Sequence, residues 1–295
     1  MDIQIEILHL ISKLKNYIIK KHTKISQLKQ KLRKFCPKKC VEFIEFHIVE
    51  HCNLNCKSCV HFSPLAKEEY LDIKTFKNDI KRLSEITIGK VKTINIFGGE
   101  PLLHKDLIQF LDIARYFFPN TKIRLVTNGI LLSEQNEDFW GNCKKNKIVI
   151  SITKYPIKLN WSLIEQKADN NGVKLEFFAD DKKDSQWHFP LDLSGKQNRY
   201  TNFMDCQEAN KCTNVYKGKL YICPIASNMR HFNKYFKMNI PITEKDYLDI
   251  YKIKNANEIL KFCAKPSPIC KYCNIKGRTF NNEWNISKKE ITEWI

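Results

Sequence analysis

Cys52, Cys56 and Cys59 stand in one short stretch, with three residues and then two between them. Thiolates are the usual protein ligands of [4Fe–4S] clusters, and three of them leave one iron without a protein ligand, open to a bound molecule. The competing reading is a zinc loop or a group of ordinary buried cysteines. Structural zinc takes four ligands at paired short spacings, which a lone triplet fits poorly. Further along, Phe97-Gly98-Gly99-Glu100-Pro101 joins two glycines to an acid. Glycines let the backbone approach a ligand closely, and an extended carbonyl edge beside Glu100 can accept hydrogen bonds from an ammonium group.

A second cysteine set follows: Cys206-x5-Cys212-x10-Cys223, then Cys270-x2-Cys273, with Gly218 in a Gly-x4-Cys arrangement before Cys223. Five cysteines compete for four places, and Cys263 is a sixth candidate. Zinc suits these paired short spacings as well as an iron–sulfur cluster does. Cys36, Cys40 and Cys143, the rest of the twelve, have no partner at motif spacing. The opening Met1-Asp2-Ile3-Gln4-Ile5-Glu6 lacks a basic n-region and a cleavage site, and no uncharged apolar run reaches the ~18 residues of a membrane span. A cytoplasmic location is therefore expected, where thiols stay reduced and clustered cysteines point to metal more than to disulfides.

The elements that must position these groups alternate. Phe43–Val49 reads as a strand, Lys74–Ile86 as a helix, Thr93–Phe97 as a second strand and Asp106–Phe118 as a second helix. Lys122–Thr127, Lys147–Ile152 and Val173–Phe178 continue the strands, with helices over Glu134–Cys143 and Trp161–Asp169 between them. Such alternation implies right-handed βαβ crossovers and a parallel sheet or barrel, so the fold class is α/β. The triplet and the Gly98-Gly99-Glu100-Pro101 segment then both fall just after strands, at the carboxyl end of the sheet, where parallel α/β folds place their chemistry. Val126-Thr127-Asn128-Gly129, Ser151 and Thr153 reach the same edge from later strands. His61 and His104 lie near the motifs but carry no assigned role, since a lone loop histidine is commonly just solvated.

Beyond residue 180 the rhythm stops. A hairpin is expected from Asn214-Val215-Tyr216 and Leu220-Tyr221-Ile222 around Lys217-Gly218-Lys219. The expected organisation is a helical extension over 1–40, a core over 41–182 and a cysteine-bearing module over 183–295. The net charge is +18, and residues 1–40 hold ten Lys and Arg33 against Asp2 and Glu6, a net +9. Ile3, Ile7, Leu10, Ile11, Leu14, Ile18 and Ile19 recur among these lysines at helical spacing, as in a basic amphipathic helix. It suits an anionic membrane face or an acidic partner, or equally a solvated face packed on its own domain. No nucleic-acid recognition motif accompanies the charge.

The triplet, placed after the first strand and followed by Gly98-Gly99-Glu100-Pro101, resembles the signature of the radical S-adenosylmethionine (SAM) superfamily, over roughly residues 42–295. The resemblance implies a partial (β/α)6 barrel, a [4Fe–4S] cluster on Cys52, Cys56 and Cys59, and SAM chelating the open iron. It implies SAM contacts from Gly98, Gly99, Glu100, Pro101, Asn128, Ser151 and Thr153, and no catalytic residue beyond the cluster. Family members usually carry an aromatic residue where this chain has Ser58, so the adenine contact falls to Val60, His61 or Phe62. The second cysteine set resembles the small α+β twitch and SPASM extensions, which implies one auxiliary [4Fe–4S] cluster drawn from Cys206, Cys212, Cys223, Cys270 and Cys273. The expected function is an oxidoreductase or isomerase that takes hydrogen from a small polar substrate. The substrate expected is a sugar or sugar nucleotide, dehydrogenated, deoxygenated or epimerised, with electrons from a flavodoxin or ferredoxin. The Phe62-Ser63-Pro64-Leu65-Ala66 stretch and the tail Trp284–Glu290 resemble a bacterial subgroup linked to surface-glycan biosynthesis, and a peripheral place at the inner membrane face fits the basic helix. The alternatives are a peptide maturase, for which residues 1–40 are short as a leader-binding domain, and a non-catalytic metal-stapled binding protein.

Overall fold

A computed structural model describes residues 21, 24–178 and 185–295. Of the basic extension, residues 24–32 are described and form helix α1; the apolar repeat from Ile3 to Ile19 lies outside the described residues. No helix among the described residues is long and apolar enough to cross a membrane.

The predicted alternation is present almost residue for residue. Strands β1 (Val41–Val49), β2 (Val91–Gly98), β3 (Lys122–Thr127), β4 (Ile148–Thr153) and β5 (Lys174–Phe178) are separated by α2 (Ile73–Thr87), α3 (Leu107–Phe117), α4 (Glu137–Lys145) and α5 (Trp161–Asn170). Three of these four helices, α2, α4 and α5, start where a short polar side chain satisfies a free N–H. Asp72 accepts from Thr75 N at 2.9 Å, Asn136 from Phe139 N at 3.0 Å and Asn160 from Leu163 N at 3.1 Å. The cap at Asn136 explains why α4 begins at Glu137 rather than at Glu134.

All of β1 to β5 run parallel, in the order β5-β4-β3-β2-β1, and the sheet continues through β7 (Cys212–Tyr216), β8 (Lys219–Tyr221) and β9 (Tyr247–Asp249). It is open, with edges at β5 and β9, so the architecture is a mixed α/β partial barrel. On the helix-covered side, Ile44, Phe46 and Ile48 of β1 and Ile94 and Ile96 of β2 are fully buried against Phe76, Ile80 and Leu83 of α2 and Phe110 and Leu111 of α3. Each such side chain contributes about 1.5–3 kcal/mol. The alternate residues of β1 turn to the other face, where Glu45 accepts from Asn95 at 3.0 Å and from Asn214 at 2.9 Å.

The sequence rhythm ends at β5, but the sheet does not. Strand β7 pairs in parallel with β1, Phe43 opposite Cys212 and Phe46 opposite Val215, and the expected hairpin joins β7 to β8. Thus the second cysteine set is hung on the central strand of the sheet. Helix α6 (Arg199–Asp205), α7 (Pro224–Phe236) and α8 (Ala256–Cys263) complete this half, and β6 (Ser185–His188) pairs antiparallel with β10 (Thr279–Glu283). The α7 helix packs Met229 and Phe232 with Phe62 and Trp294 in a second core, directly under the loop after the triplet.

Candidate cluster and cofactor site

The triplet occupies the loop after β1, and the structure fixes that loop from the side by the glycines after β2. Gly99 N donates to Val49 O at 2.7 Å and Glu100 N to His51 O at 3.1 Å. A Cβ on Gly98, whose φ is +154°, would stand 2.3 Å from Val49 O, and one on Gly99 would stand 1.9 Å from His51 O. The two backbones therefore touch with no room for a side chain.

Glu100 is fully buried, and its carboxylate accepts from Leu102 N at 3.0 Å, Thr127 Oγ1 at 2.7 Å and Asn128 N at 2.9 Å. Asn128 in turn donates to Asn53 Oδ1 at 2.8 Å and to Cys52 Sγ at 3.6 Å. Glu100, Thr127, Asn128 and Cys52 thus form one connected set. Pro101 opens the short turn beyond Glu100. Ser151 and Thr153 stand on β4, a strand further from β2, with Ser151 in register with Val126 of β3.

Burial pushes the Glu100 carboxyl up to about 7, against the hydrogen bonds that favour its charge. The folded chain therefore holds this proton more tightly than the unfolded chain, whose carboxyl titrates near 4.5. The corresponding stability is complete below that value and is lost as pH rises through about 7. We expect the cluster-free protein to lose stability between pH 5 and 7.5. In Glu100→Gln this part of the loss, about 3 kcal/mol at most, should vanish from urea-unfolding midpoints measured across that range.

The three thiols are buried together. Burial pushes Cys52 up to about 11 and Cys56 up to about 12, and each feels the charge of Cys59; burial also raises Cys59. Without metal these sulfurs are protonated at neutral pH, and bound iron would supply the positive charge that deprotonation requires. Among the described residues no three Cys, His, Asp or Glu groups converge as a single-ion site would need. The thiolates of a four-iron cluster each bind a different iron, so a cluster does not impose that convergence. N–H groups already point at the sulfurs: Leu54 N lies 3.4 Å from Cys52 Sγ, and Trp284 Nε1 lies 3.3 Å from Cys56 Sγ. The donor set and its hydrogen bonds fit a [4Fe–4S] cluster.

In the second set, the charges acting on Cys223 are those of Cys273, Cys270 and Cys206, and burial raises it furthest of all causes. Cys270 feels Cys273 and Cys206, and burial pushes Cys273 up to about 12. Arg278 Nη1 lies 3.5 Å from Cys206 Sγ, and Asn202 Nδ2 donates to the carbonyls of Cys270 and Cys273. Cys212, at the start of β7, is raised by burial and then by Glu45 and Glu208. Cys263 sits in the main core on α8. We expect Cys223→Ala to lose the auxiliary iron while Cys212→Ala keeps it, read as iron and sulfide per chain after anaerobic reconstitution; equal retention by both variants would sink this four-cysteine grouping.

One cavity, of about 200 Å³, is lined by all five cysteines of the second set, Cys206, Cys212, Cys223, Cys270 and Cys273, together with Phe97 and with Val60 and His61, which follow Cys59 in the chain. Burial pushes the His61 imidazole down to about 4, so it faces this space uncharged at neutral pH. His61 packs on His47 and Phe97, with ring centroids 4.9 and 4.8 Å apart. Phe62 is buried on Phe232 and Trp294. Ser58 is also buried, and its hydroxyl donates to Glu293 O at 2.6 Å. Sequence reasoning missed Tyr155, Trp284 and Trp294, which reach the triplet from far along the chain; a tryptophan-bearing tail without periodicity was the one available signal.

An open parallel sheet with a buried cysteine loop after its first strand and a glycine clamp after its second is the architecture of an iron–sulfur α/β domain. Residues 46–163 match the model of the Radical SAM superfamily, a family that binds a [4Fe–4S] cluster together with SAM. Among curated proteins it is 25% identical over 253 residues to a GTP 3′,8-cyclase of Helicobacter pylori (strain HPAG1), covering 79% of this chain and 76% of that one. It is 34% identical over 89 residues to an S-adenosylmethionine-dependent nucleotide dehydratase of Selenomonas ruminantium, covering 30% of each. A GTP 3′,8-cyclase from another Helicobacter pylori strain is matched at 30% identity over 98 residues, again only 30% of its length. Among solved structures, BtrN in complex with AdoMet and 2-DOIA superposes with a TM-score of 0.52 at 19% identity, over 80% of this chain and 94% of that one, which establishes a shared fold.

Proposed function

We propose that this chain is a radical SAM enzyme acting on a small polar substrate, a sugar or sugar nucleotide, with Cys52, Cys56 and Cys59 holding the SAM cluster and Cys206, Cys223, Cys270 and Cys273 holding an auxiliary one. The observation that carries this reading is the cavity between the second cysteine set and Val60 and His61, the residues that follow Cys59 in the cluster loop. A cluster held by Cys52, Cys56 and Cys59 would supply one-electron reduction of SAM, the chemistry that lets a hydrogen atom be taken from an unactivated substrate carbon.

The protein's own share is placement. The Gly98-Gly99 backbone presses directly on Val49 and His51 and so sets the cluster loop, and Glu100 holds Asn128 in fixed relation to Cys52. Uncharged His61 and Phe97 line the cavity with the second cysteine set, where a cluster would offer a redox centre for a substrate electron. A nucleotide-bearing substrate agrees with the names of the curated relatives, and dehydrogenation, deoxygenation or epimerisation are the outcomes such a cavity serves.

The test is anaerobic incubation of the reconstituted, reduced protein with SAM and ring-deuterated sugar nucleotides. Deuterium in 5′-deoxyadenosine supports the reading. Transfer from a peptide instead would move the chain to the maturases, and no 5′-deoxyadenosine with both clusters intact would end the enzyme reading altogether.

A further inference from the structure

The last twelve residues of the chain, Trp284 to Ile295, fold back across the cluster loop. Lys57 N donates to Asn285 O at 2.8 Å and Ser287 N to Asn55 O at 2.8 Å, an antiparallel bridge that sets Cys56 opposite Ile286. Downstream, Ser58 Oγ donates to Glu293 O, and Trp294 Nε1 donates to Cys59 O at 2.9 Å. The tail is itself held in shape by Glu293, which is buried and accepts from Ser287 Oγ at 2.6 Å and from Lys288 N at 2.7 Å. Every residue from Asn55 to Cys59 is therefore bonded to the tail or is opposite it.

This loop needs such a holder. Asn55 and Ser58 both have positive φ, 51° and 56°, a conformation that non-glycine residues adopt at a cost and keep only when their surroundings fix it. Ser58 uses its hydroxyl to make that attachment, which gives a physical reason for a serine at this position.

At the start of the tail, the Trp284 indole N–H points at Cys56 Sγ, 3.3 Å away, and the ring leans on Tyr155 with centroids 6.0 Å apart. Hydrogen bonds to cluster sulfurs and the groups that orient ligands are what set an iron–sulfur centre's potential and geometry. We propose that the tail is part of the SAM-cluster site and that Trp284 is a positioning residue whose N–H holds the Cys56 sulfur and raises the potential of the cluster bound there. The inference rests on the proposed role of the triplet. It also links the two sites along the chain, because Trp284 follows directly from β10 and the Cys270–Cys273 segment.

The experiment uses full-length protein grown with indole-¹⁵N tryptophan, reconstituted anaerobically and reduced, and reads the EPR signal that responds to added SAM. A ¹⁵N coupling to that signal is expected in the wild type and in Trp294→Phe, whose lost indole bonds a carbonyl and not a sulfur. In Trp284→Phe the coupling should disappear and the midpoint potential of the SAM-responsive cluster should shift negative at unchanged iron content. A SAM-responsive signal without the coupling, or an unshifted potential in Trp284→Phe, overturns this inference alone. The lack of any SAM-responsive signal overturns the proposed function along with it.

Discussion

Replacing Cys52, Cys56 and Cys59 together by alanine is expected to remove 5′-deoxyadenosine formation below detection and to lower bound iron from about eight atoms per chain to about four. The remaining iron should stay because the second cysteine set draws nothing from the triplet: the charges acting on Cys223 come from Cys206, Cys270 and Cys273. The apo fold should survive too, since the triplet side chains make few of the bonds that hold their loop. The loop is fixed by backbone contacts to Gly99, Glu100, Asn285 and Ser287, none of which involves a thiol. Iron and sulfide analysis, with chromatographic assay of 5′-deoxyadenosine, checks both halves. A variant that still makes 5′-deoxyadenosine would refute the assignment of the SAM cluster, and one that loses all its iron would refute the independence of the two sites.

Gly99→Ala should be the most damaging single-atom addition near the site. The new Cβ would meet His51 O at 1.9 Å, the His51 carbonyl carbon at 2.3 Å and Cys52 N at 2.9 Å, all of them backbone atoms that no rotamer change can move. Relief requires β2 and the cluster loop to part, which breaks the Gly99 N–Val49 O and Glu100 N–His51 O bonds. We expect at least about 3 kcal/mol of lost stability from urea unfolding, above the usual cost of overpacking. SAM binding to the reconstituted protein should weaken by at least about tenfold, as loss of one well-placed contact set implies. Gly141→Ala is the control: a Cβ there meets nothing within 4 Å and the position lies inside helix α4, so the same substitution should leave stability unchanged or raise it by about 0.5–1 kcal/mol. If Gly99→Ala matches this control, the close approach of the two backbones is not what shapes the site.

The five parallel strands, the four helices between them and the place of Cys52, Cys56, Cys59 and Gly98-Gly99-Glu100-Pro101 at strand ends were legible in the sequence. Period-2 and period-3.6 patterns and caps such as Asp72 are local, and a motif's neighbours along the chain fix which end of a strand it follows. Tertiary structure alone decided the rest, because it depends on residues far apart in sequence. Spacing placed five cysteines along the chain, and the pairing of β7 with β1 sets Cys212 beside Glu45 and Glu208 while all five line one cavity. Spacing offered Glu100 as a ligand contact, and folding turns its carboxylate inward onto Thr127 and Asn128. Spacing likewise left Ser58 as a missing aromatic. Its hydroxyl meets Glu293, 235 residues away, and Trp284 meets Cys56 across 228, contacts that carry no periodicity and exist only once the whole sheet has brought the chain's end back to its first loop.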